Sequence, residues 1–235
     1  MDQKKDLIVG MPLYNGCTLM DFAGAAQVFA SASGFTPIWI SNEASITTTE
    51  NLQVIPDYNF DNHPKVDILF VPGGGDEGVI SCMNDKVFLD ALVKISKTAT
   101  WNGSVCTGAF VIAASGILKD CSATTYWSQI PNLKLLAKKM NLVIPRGYPR
   151  FLVDEENHKF TGGGISSSVD LALDLVLKIG GLETAEKTQL SIQYAPGPPI
   201  NSGDPSEAPK RITMEVTKTQ ASFIKNMRVA VEDLL

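Results

Sequence analysis

Histidine is nearly absent from this chain: its 235 residues carry two, His63 and His158, both in polar, loop-like stretches. So few imidazoles argue against a metal centre and against a cysteine hydrolase, in which a histidine is normally set against the thiol. Four cysteines, Cys17, Cys82, Cys106 and Cys121, form no C-x-x-C pair, so neither a zinc site nor a dithiol redox motif is expected. The longest apolar run, residues 110–118, is far too short to span a bilayer. Residues 1–6 lead straight into Leu7-Ile8-Val9-Gly10 without a signal-like apolar segment, so a soluble, cytoplasmic protein with reduced thiols is expected. No excess of positive charge is present either; the net charge is −5, which disfavours nucleic acid or an anionic membrane as partner.

What the chain does have is one thiol in an unusual setting. Residues 98–105 read as a strand and residues 108–115 as a helix of small and apolar residues, with Cys106-Thr107 at the junction. Unpaired N–H groups and the dipole at a helix N-terminus favour an anion, so the sequence predicts a Cys106 thiol pKa drawn down towards neutrality and a nucleophilic role. The turn resembles the strand-to-helix elbow of α/β hydrolases without its flanking glycines. The other cysteines read as small core hydrophobes.

The hydrophobic periodicity places this junction in an α/β rhythm. Strands are expected over 7–13, 36–40, 66–71 and 98–105, with a β excursion within 46–58. Helices are expected over 21–32, with Phe22, Ala25, Ala26 and Phe29 inward, and over 86–97 and 132–140. A further helix over 166–179 carries Val169, Leu173, Val176 and Leu177 as a sheet-facing stripe, after a hairpin at 151–161. Residues 195–209 form an irregular surface arm, and Phe223, Met227, Ala230 and Leu234 mark a last helix. Alternating β and α units imply a parallel sheet with a site beyond the C-terminal ends of its strands.

Three features can converge at that edge: the Cys106 thiol, the Asp21 carboxyl and the backbone N–H groups of the glycine runs 73–75 and 162–164. Thiol chemistry needs a stabilised anion, a proton donor and donors for developing charge, which this set could supply without imidazole. Asp21 also suits a helix cap, and the glycine runs lack the Lys-Ser/Thr of a phosphate loop.

Several segments together resemble the isonitrile hydratase family of the DJ/PfpI superfamily: Asp21-Phe22-Ala23-Gly24, Val71-Pro72-Gly73-Gly74, Ser104 to Ala109, Ala123-Thr124-Thr125, Thr161 to Ile165 and Gln193 to Pro199. The resemblance implies a flavodoxin-like, three-layer α/β sandwich with a mostly parallel central sheet and a cysteine elbow. It implies a catalytic domain over 1–209, with 210–235 a helical extension packed on it or on a dimer partner. It also implies a cofactor-free homodimer acting on a small molecule. Cys106 becomes the nucleophile, Asp21 the acid/base and Thr107 its assistant, with Gly74, Gly75, Gly163, Ile165 and Tyr126 about the substrate. The implied reaction is hydration of an isonitrile to an N-substituted formamide through a cysteine thioimidate. Tyr126 stands where the family pattern has histidine, which bears on pocket polarity. The alternatives are a glyoxalase- or deglycase-like activity on 2-oxoaldehydes and a non-catalytic cysteine oxidation sensor.

Overall fold

The computed structural model describes residues 6–235. Its first half runs β1 (Leu7–Pro12), α1 (Leu19–Ser31), β2 (Phe35–Ile40), the short strands β3 (Ile46–Thr47) and β4 (Gln53–Val54), then β5 (Ile68–Val71). Next come α2 (Asp76–Asn84), α3 (Lys86–Ser96), β6 (Trp101–Val105), α4 (Gly108–Ala114) and β7 (Cys121–Ser122). The second half holds α5 (Ile130–Met140), β8 (Leu142–Val143), β9 (Phe151–Asp154), β10 (Lys159–Gly162), α6 (Ser167–Gly180), α7 (Leu182–Ser191), α8 (Lys210–Thr219) and α9 (Ala221–Glu232).

Six strands make the central sheet in the order β2-β1-β5-β6-β10-β9. All its pairings are parallel except β10 with β9, the antiparallel hairpin at one edge. Helices α1, α6 and α7 pack together as one layer, and α2, α3 and α4 as the other, with α9 against α2 and α5. Ile68, Leu69, Phe70 and Val71 are all buried because both sheet faces are covered, which is why this strand reads as a continuous apolar run. Phe29, Phe70 and Phe160 form a series through the core, the first pair edge-on and the second tilted, with ring centroids 5.5–6.2 Å apart.

Local signals set several boundaries. The Asp85 carboxylate accepts from the N–H groups of Val87 and Phe88 and so starts α3, while Asn141 in the left-handed conformation ends α5. Helix α2 was not expected; it follows the glycine run directly and is weakly apolar, burying Val79, Cys82 and Met83. The α6 stripe differs from expectation too. Leu171, Ala172, Leu175 and Val176 face the core, while Leu177 is exposed, because α6 must satisfy both the sheet and α1. Residues 195–209 form neither helix nor strand, as expected for the arm. Among the described residues no helix is long and apolar enough to cross a membrane.

The topology fixes where the site lies. The chain leaves β1 towards β2 on one side and returns to β5 on the other, so β1 and β5 flank a switch point. The loops after β1, β5 and β6 open on the same C-terminal edge; the first leads into α1, whose first turn holds Asp21, and the other two carry Gly73–Gly75 and Cys106.

Candidate active site

Cys106 sits at φ +57°, a left-handed conformation that costs a non-glycine residue of order 1–2 kcal/mol. Its surroundings hold it there. Its N–H donates to the Gly162 carbonyl at 2.9 Å, and its carbonyl accepts from the Thr125 hydroxyl at 2.8 Å. Gly164 presses on it so closely that an added Cβ would lie 2.4 Å from the Cys106 Cβ, and Gly164 is itself at φ +70°. Gly164→Ala is therefore expected to destabilise the protein by at least about 2 kcal/mol and to displace the elbow, which a denaturant titration beside wild type would measure.

Asp21 lies in the first turn of α1, wholly buried, and it does not cap the helix. Its Oδ2 accepts from the Gly73 N–H at 3.0 Å, across from the β5 loop. Its Oδ1 has no hydrogen-bond partner among the described residues. Burial pushes the Asp21 carboxyl up to about 7, against the neighbouring Cys106 side chain and the hydrogen bond from the Gly73 N–H, which lower it. Glu50, whose carboxylate accepts from the Leu19 N–H at 2.9 Å, adds a smaller upward push.

The sulfur departs from the sequence expectation. Burial and then the neighbouring Asp21 charge hold the Cys106 thiol well above the usual range, although the N–H and hydroxyl of Thr107 pull it down. Removal from water outweighs the short α4 helix, so the resting group is a thiol beside a carboxyl near its midpoint at neutral pH. Sulfur thus keeps its proton at neutral pH, next to a carboxyl that can exist in either form.

The remaining expected residues divide. Thr107 is buried, and its hydroxyl both accepts from the Gly74 N–H and donates to the Gly74 carbonyl, each at 2.9 Å. That clamp uses the Gly74 amide; Gly75 N–H is used by the Gly16 carbonyl and Gly163 N–H by the Arg150 carbonyl. The three glycine amides thus brace loops and are not free to meet developing charge. Among the described residues, the N–H groups of Gly164 and Ile165 have no protein acceptor, and Gly164 is the one against the sulfur. The Ile165 side chain is 42% exposed at the rim. Tyr126 is turned elsewhere: its hydroxyl accepts from Gln220 at 2.8 Å and its ring packs near Phe223, so it anchors the C-terminal helices. Both histidines lie away from the thiol. His63 contacts the Pro64 carbonyl, and His158 sets edge-on against Trp101 at the opposite end of β6.

A cleft of about 980 Å³ opens beside the elbow, floored by Thr125, Gly163 and Gly164 and walled by Trp127, Tyr148 and the proline arm. Arg150 pairs with Asp170, and the Tyr194 hydroxyl donates to the same carboxylate at 2.5 Å, tying the root of the arm to α6. Sequence reasoning missed this bond set because no local pattern joins positions 150, 170 and 194.

Residues 8–178 match the DJ-1/PfpI family. The chain belongs to that family. Within it, isonitrile hydratase of Pseudomonas putida is 33% identical over 224 residues, covering 93% of this chain and 92% of that one. A ThiJ/PfpI family protein from Pseudomonas syringae has a solved structure with TM-score 0.88 at 27% identity, covering 96% and 90% of the two chains. Drosophila melanogaster DJ-1beta shares the fold alone, with TM-score 0.68 at 20% identity over 81% of this chain and all of that one. A DJ-1/PfpI fold thus carries the elbow, as the resemblance implied.

Proposed function

We propose that this protein hydrates isonitriles to N-substituted formamides, with Cys106 as nucleophile and Asp21 as proton carrier. The observation that carries the reading is a strained elbow thiol paired with a buried carboxyl and no imidazole. It is supported by the 33% identity with isonitrile hydratase over nearly the whole chain. A 2-oxoaldehyde activity would draw on histidine and glutamate groups beside the thiol, and nothing at this elbow favours it.

The terminal carbon of an isonitrile accepts both a nucleophile and a proton, which suits a pair that holds one mobile proton. Asp21 takes the proton from Sγ as sulfur bonds to that carbon, then delivers it to the same carbon, leaving a thioimidate, R–N=CH–S. Water adds to the thioimidate carbon while Asp21 removes a water proton and returns it to nitrogen. The C–S bond then breaks, the hydroxyl proton passes through Asp21 to sulfur, and R–NH–CHO leaves with the thiol restored. The Thr107 N–H steadies sulfur as it gains negative charge. The unpaired Gly164 N–H, beside the sulfur, is available to donate to the bound substrate.

The cycle starts with Asp21 ionised, so kcat/KM should rise with pH through a midpoint near 7. A flat profile between pH 5.5 and 8.5 would remove Asp21 from this role. The decisive assay follows formamide directly from a panel of alkyl and aryl isonitriles, with methylglyoxal run alongside. The same reading takes the protein as a cytoplasmic homodimer acting on a small molecule, as the resemblance implies; light scattering would test the dimer.

A further inference from the structure

Tyr14 lies just beyond β1, almost wholly buried, with its ring set edge-on to Phe88 at 5.8 Å. Its hydroxyl donates to the Pro72 carbonyl at 3.0 Å, and among the described residues no other donor reaches that oxygen. The Pro72 carbonyl and the Gly73 N–H are the two ends of one peptide group. The Gly73 end donates to Asp21 Oδ2 at 3.0 Å. A donor on the carbonyl draws electron density through the amide and makes its N–H a stronger donor, so the two hydrogen bonds reinforce each other. Other contacts hold this peptide in place. The Gly73 carbonyl accepts from the Thr18 N–H, the Gly75 N–H donates to the Gly16 carbonyl, and Gly74 is clamped by Thr107.

We propose that Tyr14 is a positioning residue for the proton carrier, acting on Asp21 through the Pro72–Gly73 peptide without touching substrate. This rests on the proposed role of Asp21. The tyrosine holds its own proton, because burial first, and then the nearby Cys82, Cys17, Asp21 and Cys106, disfavour its ionised form. The donor is therefore constant across the working pH range. The titratable groups that bear on Asp21 are Cys106 on the elbow, Glu50 on the β3–β4 hairpin, Cys17 in the loop before α1, and Tyr14 itself. Glu50 titrates below its ordinary value and stays charged, and the Cys17 thiol is pushed up to about 12 and stays neutral. Only the Asp21–Cys106 pair changes charge near pH 7.

Removing the hydroxyl weakens the Gly73–Asp21 bond, which raises the Asp21 pKa. The effect of one cooperative bond on a charged acceptor corresponds to a rise of roughly 0.1–0.6 pH units. The test is the pH dependence of iodoacetamide alkylation at Cys106, read by peptide mass spectrometry in wild type and Tyr14→Phe, which needs no isonitrile. The alkylation midpoint should move upward in Tyr14→Phe, and on an Asp21→Asn background the curves with and without the Tyr14 hydroxyl should coincide. An unmoved midpoint, or a Tyr14→Phe effect that persists without the carboxyl, overturns the relay. Circular dichroism and melting of Tyr14→Phe establish that it is folded. If the alkylation result holds while no isonitrile is turned over, the relay stands and the proposed reaction falls.

Discussion

Cys106→Ala should lower formamide production by at least about 10³-fold while the fold survives. Alanine keeps the Cβ that already sits against Gly73 and Gly164, and the backbone bonds to Gly162 and Thr125 do not involve the sulfur. It loses the one atom able to bond to the isonitrile carbon. The position is 6% exposed, so a small hole beside the cleft is the main structural cost. Product detection by mass spectrometry decides the matter: a variant within tenfold of wild type would mean that carbon is attacked by water alone. A folded and inactive Cys106→Ala that still binds isonitrile would instead show that the cleft, not the sulfur, supplies affinity.

Asp21→Asn should have two opposite effects. Turnover should fall by about 10²–10⁴, because the amide cannot take the thiol proton and return it to carbon. Stability at pH 8 should rise. The folded carboxyl titrates at about 7 against an ordinary value of 3.8, so between those values the folded state binds more protons than the unfolded chain. Wild type therefore loses stability as pH climbs from about 4 to about 7, by an amount of order 4 kcal/mol at most. Asparagine carries no charge, so its melting temperature should stay level over that window, while its oxygen can still accept from Gly73. A parallel fall in melting temperature for both proteins would place the pH sensitivity elsewhere. A buried carboxyl that lowers stability and raises activity is the trade expected of a working acid/base.

The regular framework was legible because it is written in local pattern. The run 68–71 shows a strand covered on both faces, and the alternation of strands and helices located the edge where Asp21, the glycine loop and Cys106 meet. Properties set by distant neighbours were not legible. The sign of the thiol shift depends on burial and on a carboxyl 85 positions away, and a helix N-terminus read in isolation points the other way. The glycine amides looked available until their partners Thr107, Gly16 and Arg150 were known. Helix α2 was hidden because its apolar residues form no clear stripe, and Tyr126 looked like a pocket residue because it stands where the family pattern has histidine, whereas its hydroxyl is turned to Gln220. Tyr14 carries no motif at all; only the folded chain brings its hydroxyl to Pro72.

The grip of Gln220 on Tyr126 gives the tail leverage over the cysteine elbow. Thr125, whose hydroxyl props the carbonyl of the strained cysteine, is the next residue along. Asn132 is tied to the backbone of Ile224, so the same tail also steadies the start of α5. Changes accumulating between residues 220 and 227 can thus retune how tightly the Cys106 backbone is cocked while every pocket wall stays the same.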